Sequence, residues 1–186
     1  RIIAKSLPIN YRLYVKENPA QASREWRSKK EYKEIQNIPN VTLIQPTVLG
    51  RELIENSSLV ISIAGTSSLE ATFHQKPSII FGKVIYNMLP SVFQVNDIKD
   101  LPQIIDTALK TSVNISDLDK FVILYEKNTV QFDLIEFETR FNQKFYYGGT
   151  LFDVNIDANV LKDFLDAHQN YFSELMNEYI KKINLQ

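Results

Sequence analysis

The first 112 residues alternate short apolar runs with longer polar stretches that have helical character. β-branched and aromatic residues dominate the runs, which predicts strands. The predicted strands are Tyr11 to Lys16, Val41 to Ile44, Leu59 to Ile63, Ser78 to Phe81 and Val92 to Val95. Because a helical stretch separates most neighbouring strands, the connections are crossovers and the strands run parallel. Residues 1–112 therefore predict a doubly wound α/β domain.

Helices are predicted between the strands and through the rest of the chain. In residues 1–112 they cover Arg24 to Gln36, Leu49 to Glu55, Ser67 to Gln75 and Leu101 to Thr111. Residues 113–186 predict a mainly helical extension that packs on the first domain. It ends in one long amphipathic helix from Asn159 to Ile183, preceded by the stretch FYYGGTLFDVN, a loop or short irregular strand.

Composition excludes several classes of function. The formal net charge is -1, so no strong field attracts nucleic acid, and the basic residues near position 27 alternate with glutamates. The chain has no cysteine and only two histidines, which excludes thiolate catalysis and gives no reason to expect a metal site. No apolar run is long enough to span a bilayer, and we expect a cytoplasmic protein.

The stretch AGTSSLEA, residues 64–71, follows the predicted strand LVISI and opens a helix. Gly65 permits a sharp turn and close approach of a ligand. Thr66 is placed to cap the helix, and the amides of Ser67 and Ser68 point out of its first turn, where phosphate binds. Glu70, one turn further, is placed to bind ribose hydroxyls. The same pattern is also typical of structural capping without any ligand.

The order YVKENP, IPNVTLIQP, SSLVISIAGTSSLEA and KPSIIFGKVIY with LPSVFQV resembles the capsule polysaccharide biosynthesis proteins, which are related to bacterial Kdo transferases. The resemblance runs from about Leu7 to Ile105. It implies the Rossmann-like C-terminal, donor-binding half of a glycosyltransferase with the GT-B fold. It further implies a nucleotide-activated sugar as donor, with a CMP-linked sugar favoured, and no metal requirement or other cofactor.

The resemblance assigns further residues to the site. The family's His-Pro motif falls on Asn18 and Pro19. Asparagine can donate a hydrogen bond to a phosphate oxygen, but unlike histidine it cannot deliver a proton at neutral pH. Lys16 adds a positive charge near the phosphate, or is simply solvated. Gly82 and Tyr86 match a glycine and an aromatic residue near the nucleotide base, although Tyr86 is equally suited to packing.

The resemblance also implies what lies outside this chain. The acceptor, an oligosaccharide or glycolipid, and the catalytic base belong to an N-terminal domain, so the catalytic residue is unknown. The first strand and glycine-rich loop of the donor domain are expected upstream of Arg1, and the fragment alone is expected to be inactive. Such an enzyme acts in the cytoplasm and is compatible with peripheral association at the inner face of the membrane.

Three alternatives remain open from the sequence. A nucleotide-sugar epimerase of the UDP-GlcNAc 2-epimerase type has the same architecture, although no acid/base groups are assignable to it here. A CDP-glycerol phosphotransferase has a comparable pair of loops. A non-catalytic interaction module would use the apolar face of the last helix, including Phe172, Met176 and Tyr179.

Overall fold

The structure is a computed structural model that describes residues 1–18, 27–130, 132–151 and 153–184. The chain divides into two compact units, Arg1–Val122 and Ile123–Gln186. The elements of the first unit are α1 (Ile2–Ser6), β1 (Leu13–Lys16), α2 (Lys29–Gln36), β2 (Val41–Ile44), α3 (Gly50–Glu55), β3 (Val60–Ser62), α4 (Ser67–Phe73), β4 (Ser78–Ile80), β5 (Val92–Gln94) and α5 (Leu101–Lys110). α6 (Ile115–Asn128) crosses the division, and α7 (Leu134–Phe145), α8 (Ala158–Ala167) and α9 (Gln169–Asn184) follow.

The strands form two parallel sheets. β1 pairs with β2, with Leu13 opposite Val41. The second sheet has the order β3-β4-β5, with Ile61 opposite Ile79 and Ile79 opposite Phe93. The prediction of a mixed α/β chain, with parallel strands alternating with helices and a helical C-terminal region, is confirmed. All five predicted strands are present, each within two residues of its predicted ends.

Local capping chemistry sets the start of α2. The helix begins at Lys29, later than predicted, because Ser28 and Glu31 form a capping box. The Ser28 Oγ accepts from the Glu31 amide at 3.3 Å, and Glu31 Oε2 accepts from the Ser28 amide at 2.8 Å. The predicted residues 24–26 lie outside the described part of the chain.

Two clusters of buried side chains hold the first unit together. In one, Ile80 and Tyr86 pack with Leu118 and Phe121 of α6. In the other, Ile79 packs with Leu101 and Ile105 of α5. Ile79 and Ile80 are fully buried because successive residues of a strand face opposite sides of a sheet that is covered on both faces.

The second unit is helical, but the predicted helix from Asn159 to Ile183 is wrong. It is two helices, α8 and α9, which meet at His168. The His168 Nδ1 lies 2.7 Å from the Phe164 carbonyl oxygen, so a side chain takes part in the backbone bonding at the break. The FYYGGTLFDVN stretch contains a short 3-10 helix, Tyr147–Gly149, with Gly148 and Gly149 at positive φ.

Aromatic rings form the interior of this unit. Phe164 packs on Phe137, Phe141 and Phe145, with ring centroids 5.2 to 5.9 Å apart. On α9, five large apolar side chains stay 40 to 58% exposed: Phe172, Met176, Tyr179, Ile180 and Ile183. Among the described residues, no helix has the length and apolar character required to cross a lipid bilayer.

Candidate functional site

A cleft of about 860 Å³ in the first unit collects most of the predicted site residues. It lies where β1 and β3 end, so the loops that leave both strands contribute to its wall. Six predicted residues line it: Lys16, Asn18, Gly65, Thr66, Ser67 and Glu70. Pro19 lies outside the described residues. Ser68, Gly82 and Tyr86 are described but are not among the lining residues.

Three hydrogen bonds with side chains hold Gly65 in the loop after β3. Its amide donates to the Ser62 Oγ at 3.2 Å, and its carbonyl oxygen accepts from the Ser62 hydroxyl at 3.3 Å and the Tyr86 hydroxyl at 2.8 Å. Its φ is not positive, and an added Cβ would meet nothing closer than 3.6 Å. The turn therefore does not require glycine at this position, contrary to the sequence expectation.

The predicted cap on α4 is also absent. Thr66 makes no side-chain hydrogen bond to the helix backbone. Instead its hydroxyl donates to Glu70 Oε1 at 3.0 Å, an i to i+4 contact within the exposed first turn. The Ser68 amide donates to the Gly65 carbonyl at 3.1 Å. Some polar groups of the first turn of α4 are thus already hydrogen-bonded within the protein. Fewer amides are therefore available to a ligand in the cleft than the sequence suggests.

Two adjacent serines have different environments. Ser68 is fully buried, its hydroxyl lies 2.7 Å from the Ser62 Oγ, and its carbonyl accepts from the Ser78 hydroxyl at 3.0 Å. These bonds tie β3, α4 and β4 together. Ser67 is partly exposed and lines the cleft. Ser67, and not Ser68, is therefore the serine positioned to meet a ligand.

The loop after β1 contributes charge to the cleft. The Lys16 Nζ donates to the Glu17 carbonyl at 3.3 Å, which folds the lysine back toward the strand end. Glu17 lines the cleft and its carboxylate accepts from the Arg27 Nε at 2.5 Å. That hydrogen bond and the negative charge of Glu17 raise the pKa of Arg27. Arg27 therefore neutralises Glu17 where an anion would approach. Asn18 is exposed beside them.

Gly82 and Tyr86 do not line the cleft but contact the loop that does. The Gly82 amide donates to the Ile63 carbonyl at 2.6 Å, and a Cβ at Gly82 would come within 3.0 Å of the Ala64 Cβ. A Cβ at Gly82 would therefore need one of the two loops to shift by a few tenths of an ångström. Tyr86 is 5% exposed, and burial raises the pKa of its hydroxyl. Both residues fix the position of the loop that carries Gly65 and Thr66.

Sequence reasoning missed other residues that line the cleft, including Arg12, Tyr14 and Glu17. Consecutive residues of this segment, Tyr11 to Tyr14, line the cleft, so the alternation of side chains along a strand does not single out Arg12 and Tyr14. The ion pair between Glu17 and Arg27 spans ten positions, and no local pattern indicates it.

The lining groups suit the recognition of a polar, anionic molecule. An ammonium at Lys16, an amide at Asn18 and a hydroxyl at Ser67 can each donate to phosphate oxygens, and the Glu70 carboxylate can accept from hydroxyls. No protein-family model, no curated protein and no solved structure matches this chain. The chemistry of the cleft is therefore the basis for assigning a function.

Proposed function

We propose that this chain is the donor-binding half of a glycosyltransferase that uses a nucleotide-activated sugar and builds surface or capsular polysaccharide. In this proposal the first unit is a Rossmann-like domain of the GT-B type, and the ligand is a nucleoside mono- or diphosphate sugar. The resemblance of the sequence to capsule polysaccharide biosynthesis proteins favours a CMP-linked donor.

One observation carries the proposal: the loops after β1 and β3, far apart in sequence, line the same cleft. Ligands of open parallel sheets bind outside the carboxyl ends of the strands. Lys16 ends β1, and Gly65 follows β3 by three residues. KENP and AGTSS are two of the segments in the family resemblance, and both contribute polar groups to this cleft, from Lys16, Glu17 and Asn18 and from Thr66 and Ser67.

The side chains take roles that differ in part from those expected from the sequence. Lys16, Asn18 and Ser67 bind the phosphate through donated hydrogen bonds, of which the one from Lys16 is charge-assisted. Glu70 accepts from the ribose hydroxyls and exchanges its bond to Thr66 for the one to the ligand. Gly82 and Tyr86 position the loop that carries Gly65 and Thr66, and Ser68 connects β3, α4 and β4 without contacting the ligand.

In this reading the leaving nucleotide is stabilised by hydrogen bonds and the Lys16 charge, without a metal ion. The base and the acceptor-binding surface belong to a separate N-terminal domain, so we expect this chain to bind donor without transferring sugar. Acceptor, linkage and stereochemistry are decided in that domain.

The test is a thermal-shift and calorimetric titration of the 186-residue chain with CMP, CDP, UDP, GDP and ADP. Stabilisation by one nucleotide follows mass action and reaches about 2.7 kcal/mol at a concentration 100 times the Kd. Lys16→Gln should weaken binding by about tenfold or more, since a charged hydrogen bond contributes about 1.5–3 kcal/mol. Glu70→Ala should weaken it as well.

Lys99→Gln is the matched control, because Lys99 lies outside the cleft lining and should leave binding unchanged. The proposal is wrong if none of the five nucleotides stabilises the chain at millimolar concentration. It is equally wrong if a nucleotide binds the Lys16 and Glu70 variants as tightly as the parent, because the ligand would then occupy another surface.

A further inference from the structure

One face of α9 packs on its own unit and is held there at both ends. Near the start of the helix, the Tyr171 hydroxyl donates to the Glu136 carboxylate of α7. Near its end, the Lys182 Nζ donates to the Glu126 and Lys127 carbonyl oxygens of α6, each at 2.8 Å. The half-buried residues of α9 all belong to this face: Tyr171, Leu175, Glu178 and Lys182. These contacts fix which side of α9 faces the unit.

Each of these four residues is followed by a large apolar side chain that stays exposed. The four side chains are those of Phe172, Met176, Tyr179 and Ile183, which are 40 to 58% exposed. Because successive helix residues are about 100° apart, they form a second row beside the packed face. We call this row the α9 stripe. Ile180, 47% exposed, adjoins the stripe on the side away from the packed face.

The spacing of the stripe is the same in both directions along the helix. Successive members are four, three and four residues apart, which is the alternation of a coiled-coil seam. If a second copy of α9 runs antiparallel to the first, Phe172 lies opposite Ile183 and Met176 lies opposite Tyr179 of the other copy. Each of these pairs occurs twice, as in the two-fold interface of a homodimer. The stripe is therefore complementary to itself.

The charged residues of α9 do not interfere with such pairing. Glu174 and Lys181 lie about half a turn from the stripe, on the opposite side of the helix. Glu178 and Lys182 belong to the face that packs on the unit itself. Pairing through the stripe therefore buries no unpaired charge, which would oppose association.

The exposed surface is of the size that a weak, reversible dimer requires. A large side chain presents about 150–250 Å² of surface, so five that are 40 to 58% exposed offer about 500 Å² per copy. Two copies would bury about 1,000 Å², which reaches the lower limit for a specific interface but not the standard size of about 1,600 Å². We therefore expect a dimer that dissociates on dilution.

A lipid surface is the alternative occupant of an apolar stripe, and charge disfavours it. Helices that lie on membranes are rich in lysine and arginine on their polar face, whereas the polar face of α9 consists of Ser173, Glu174, Asn177 and Lys181. Residues 123–186 contain ten acidic and six basic side chains, so an anionic bilayer would repel this unit.

We propose that the α9 stripe is the interface of a homodimer, in which α9 of a second copy of this chain packs antiparallel to it. The two-fold axis passes between residues 177 and 178. Met176 and Tyr179 of both copies form the centre of the interface, and Phe172 and Ile183 form its ends. This proposal does not rest on the proposed function, because the cleft belongs to Arg1–Val122 and α9 belongs to Ile123–Gln186. Either proposal can therefore fail while the other holds.

The test is analytical ultracentrifugation of the 186-residue chain over a wide range of concentration, where we expect a monomer–dimer equilibrium. Met176→Glu places a carboxylate at the centre of the interface and should raise the dissociation constant at least about tenfold. Asn177→Glu is the matched control, because it adds the same charge to the next residue, on the polar face, and should leave the dissociation constant unchanged. Circular dichroism should show equal helix content in both variants, since both positions are exposed.

A mixing experiment tests the direction of the two helices. Tyr179→Lys should also weaken the dimer when it is studied alone. In the antiparallel arrangement, a mixture of Met176→Glu and Tyr179→Lys chains brings the introduced carboxylate opposite the introduced ammonium and leaves Met176 opposite Tyr179 in the other central pair. The mixture should therefore associate about tenfold more tightly than either variant alone. In a parallel arrangement the two introduced groups would lie at different levels of the interface.

Four results would overturn the proposal. A monomer at every concentration would show that a second copy is not the occupant, and binding of that monomer to phosphatidylcholine vesicles would assign the stripe to a lipid surface. A dimer that Met176→Glu does not weaken would place the interface on another surface. Equal weakening by Asn177→Glu would contradict the assigned face of α9. A mixture that associates no more tightly than the separate variants would contradict the antiparallel arrangement.

Discussion

Replacing Gly82 by alanine should destabilise the first unit, whereas the same replacement at Gly65 should not. Both glycines were expected to bind ligand, and the structure separates them. A Cβ at Gly82 would lie 3.0 Å from the Ala64 Cβ and 3.1 Å from the Ile63 carbonyl oxygen. Neither neighbour has a side-chain torsion that can move it away, so the loop itself must shift.

The magnitudes follow from these distances. Forcing an extra carbon into a packed position costs about 1–3 kcal/mol. At Gly65 the nearest atom to an added Cβ is 3.6 Å away, which is ordinary contact and has no such cost. Alanine also restricts the unfolded chain and contributes about 0.4–1 kcal/mol of stability at a compatible site. That contribution is common to both variants. The difference between their free energies of unfolding, about 1–3 kcal/mol, therefore measures the steric cost of the Cβ at position 82.

The assay is urea unfolding followed by circular dichroism, with thermal unfolding alongside. The Gly82→Ala midpoint should fall and the Gly65→Ala midpoint should stay or rise, at an unchanged dependence of unfolding free energy on urea. For a chain of this size, 1 kcal/mol corresponds to about 2–4 °C in Tm. Equal midpoints for the two variants would refute the close approach of the loops at residues 63 and 82.

Three further predictions concern other contacts. Tyr86→Phe should cost about 1 kcal/mol, the net value of one hydrogen bond, since the Gly65 carbonyl keeps the Ser62 hydroxyl; chemical denaturation measures it, and a loss above about 3 kcal/mol would contradict the assigned role. The Ser28 amide and hydroxyl lower the pKa of Glu31, so its stabilising contribution is present above its unfolded pKa and is lost as pH falls through the lower folded pKa. An NMR titration should show this pKa rising toward its ordinary value in Ser28→Ala, and no change would contradict the capping box. Phe164→Ala should cost about 3–5 kcal/mol in calorimetry, and a loss under 1 kcal/mol would place its ring outside the core.

The strands of the first unit were predictable because their determinants are local. β-branched residues in LVISI and SIIF, and the prolines that close neighbouring segments, set the strands within two residues. Parallel pairing followed from the intervening helices. The fully buried Ile79 and Ile80 lie in a run with no polar alternation, which is the expected pattern of a strand covered on both faces.

The candidate site was less predictable because its hydrogen bonds compete with one another. AGTSSLEA contains an appropriate capping residue at Thr66, but the hydroxyl donates to Glu70 instead. Whether Ser67 or Ser68 faces the cleft depends on the position of Ser62 and Ser78, which belong to different strands. Likewise, neither glycine nor proline indicates the helix break at His168. A contact between the His168 side chain and the Phe164 carbonyl accompanies the break, and no local sequence pattern predicts that contact.

The hydrogen bonds among Ser62, Ser68 and Ser78 bear on the order in which the protein folds. They join β3, α4 and β4, three elements that span only residues 60–80, whereas the pairing of β1 with β2 closes a longer loop. Short loops cost less entropy to close, so we expect this βαβ unit to form early. In kinetic φ-analysis, Ser78→Ala should give a value near 1 and Val41→Ala a value near 0. The reverse order would mean that the first sheet nucleates folding.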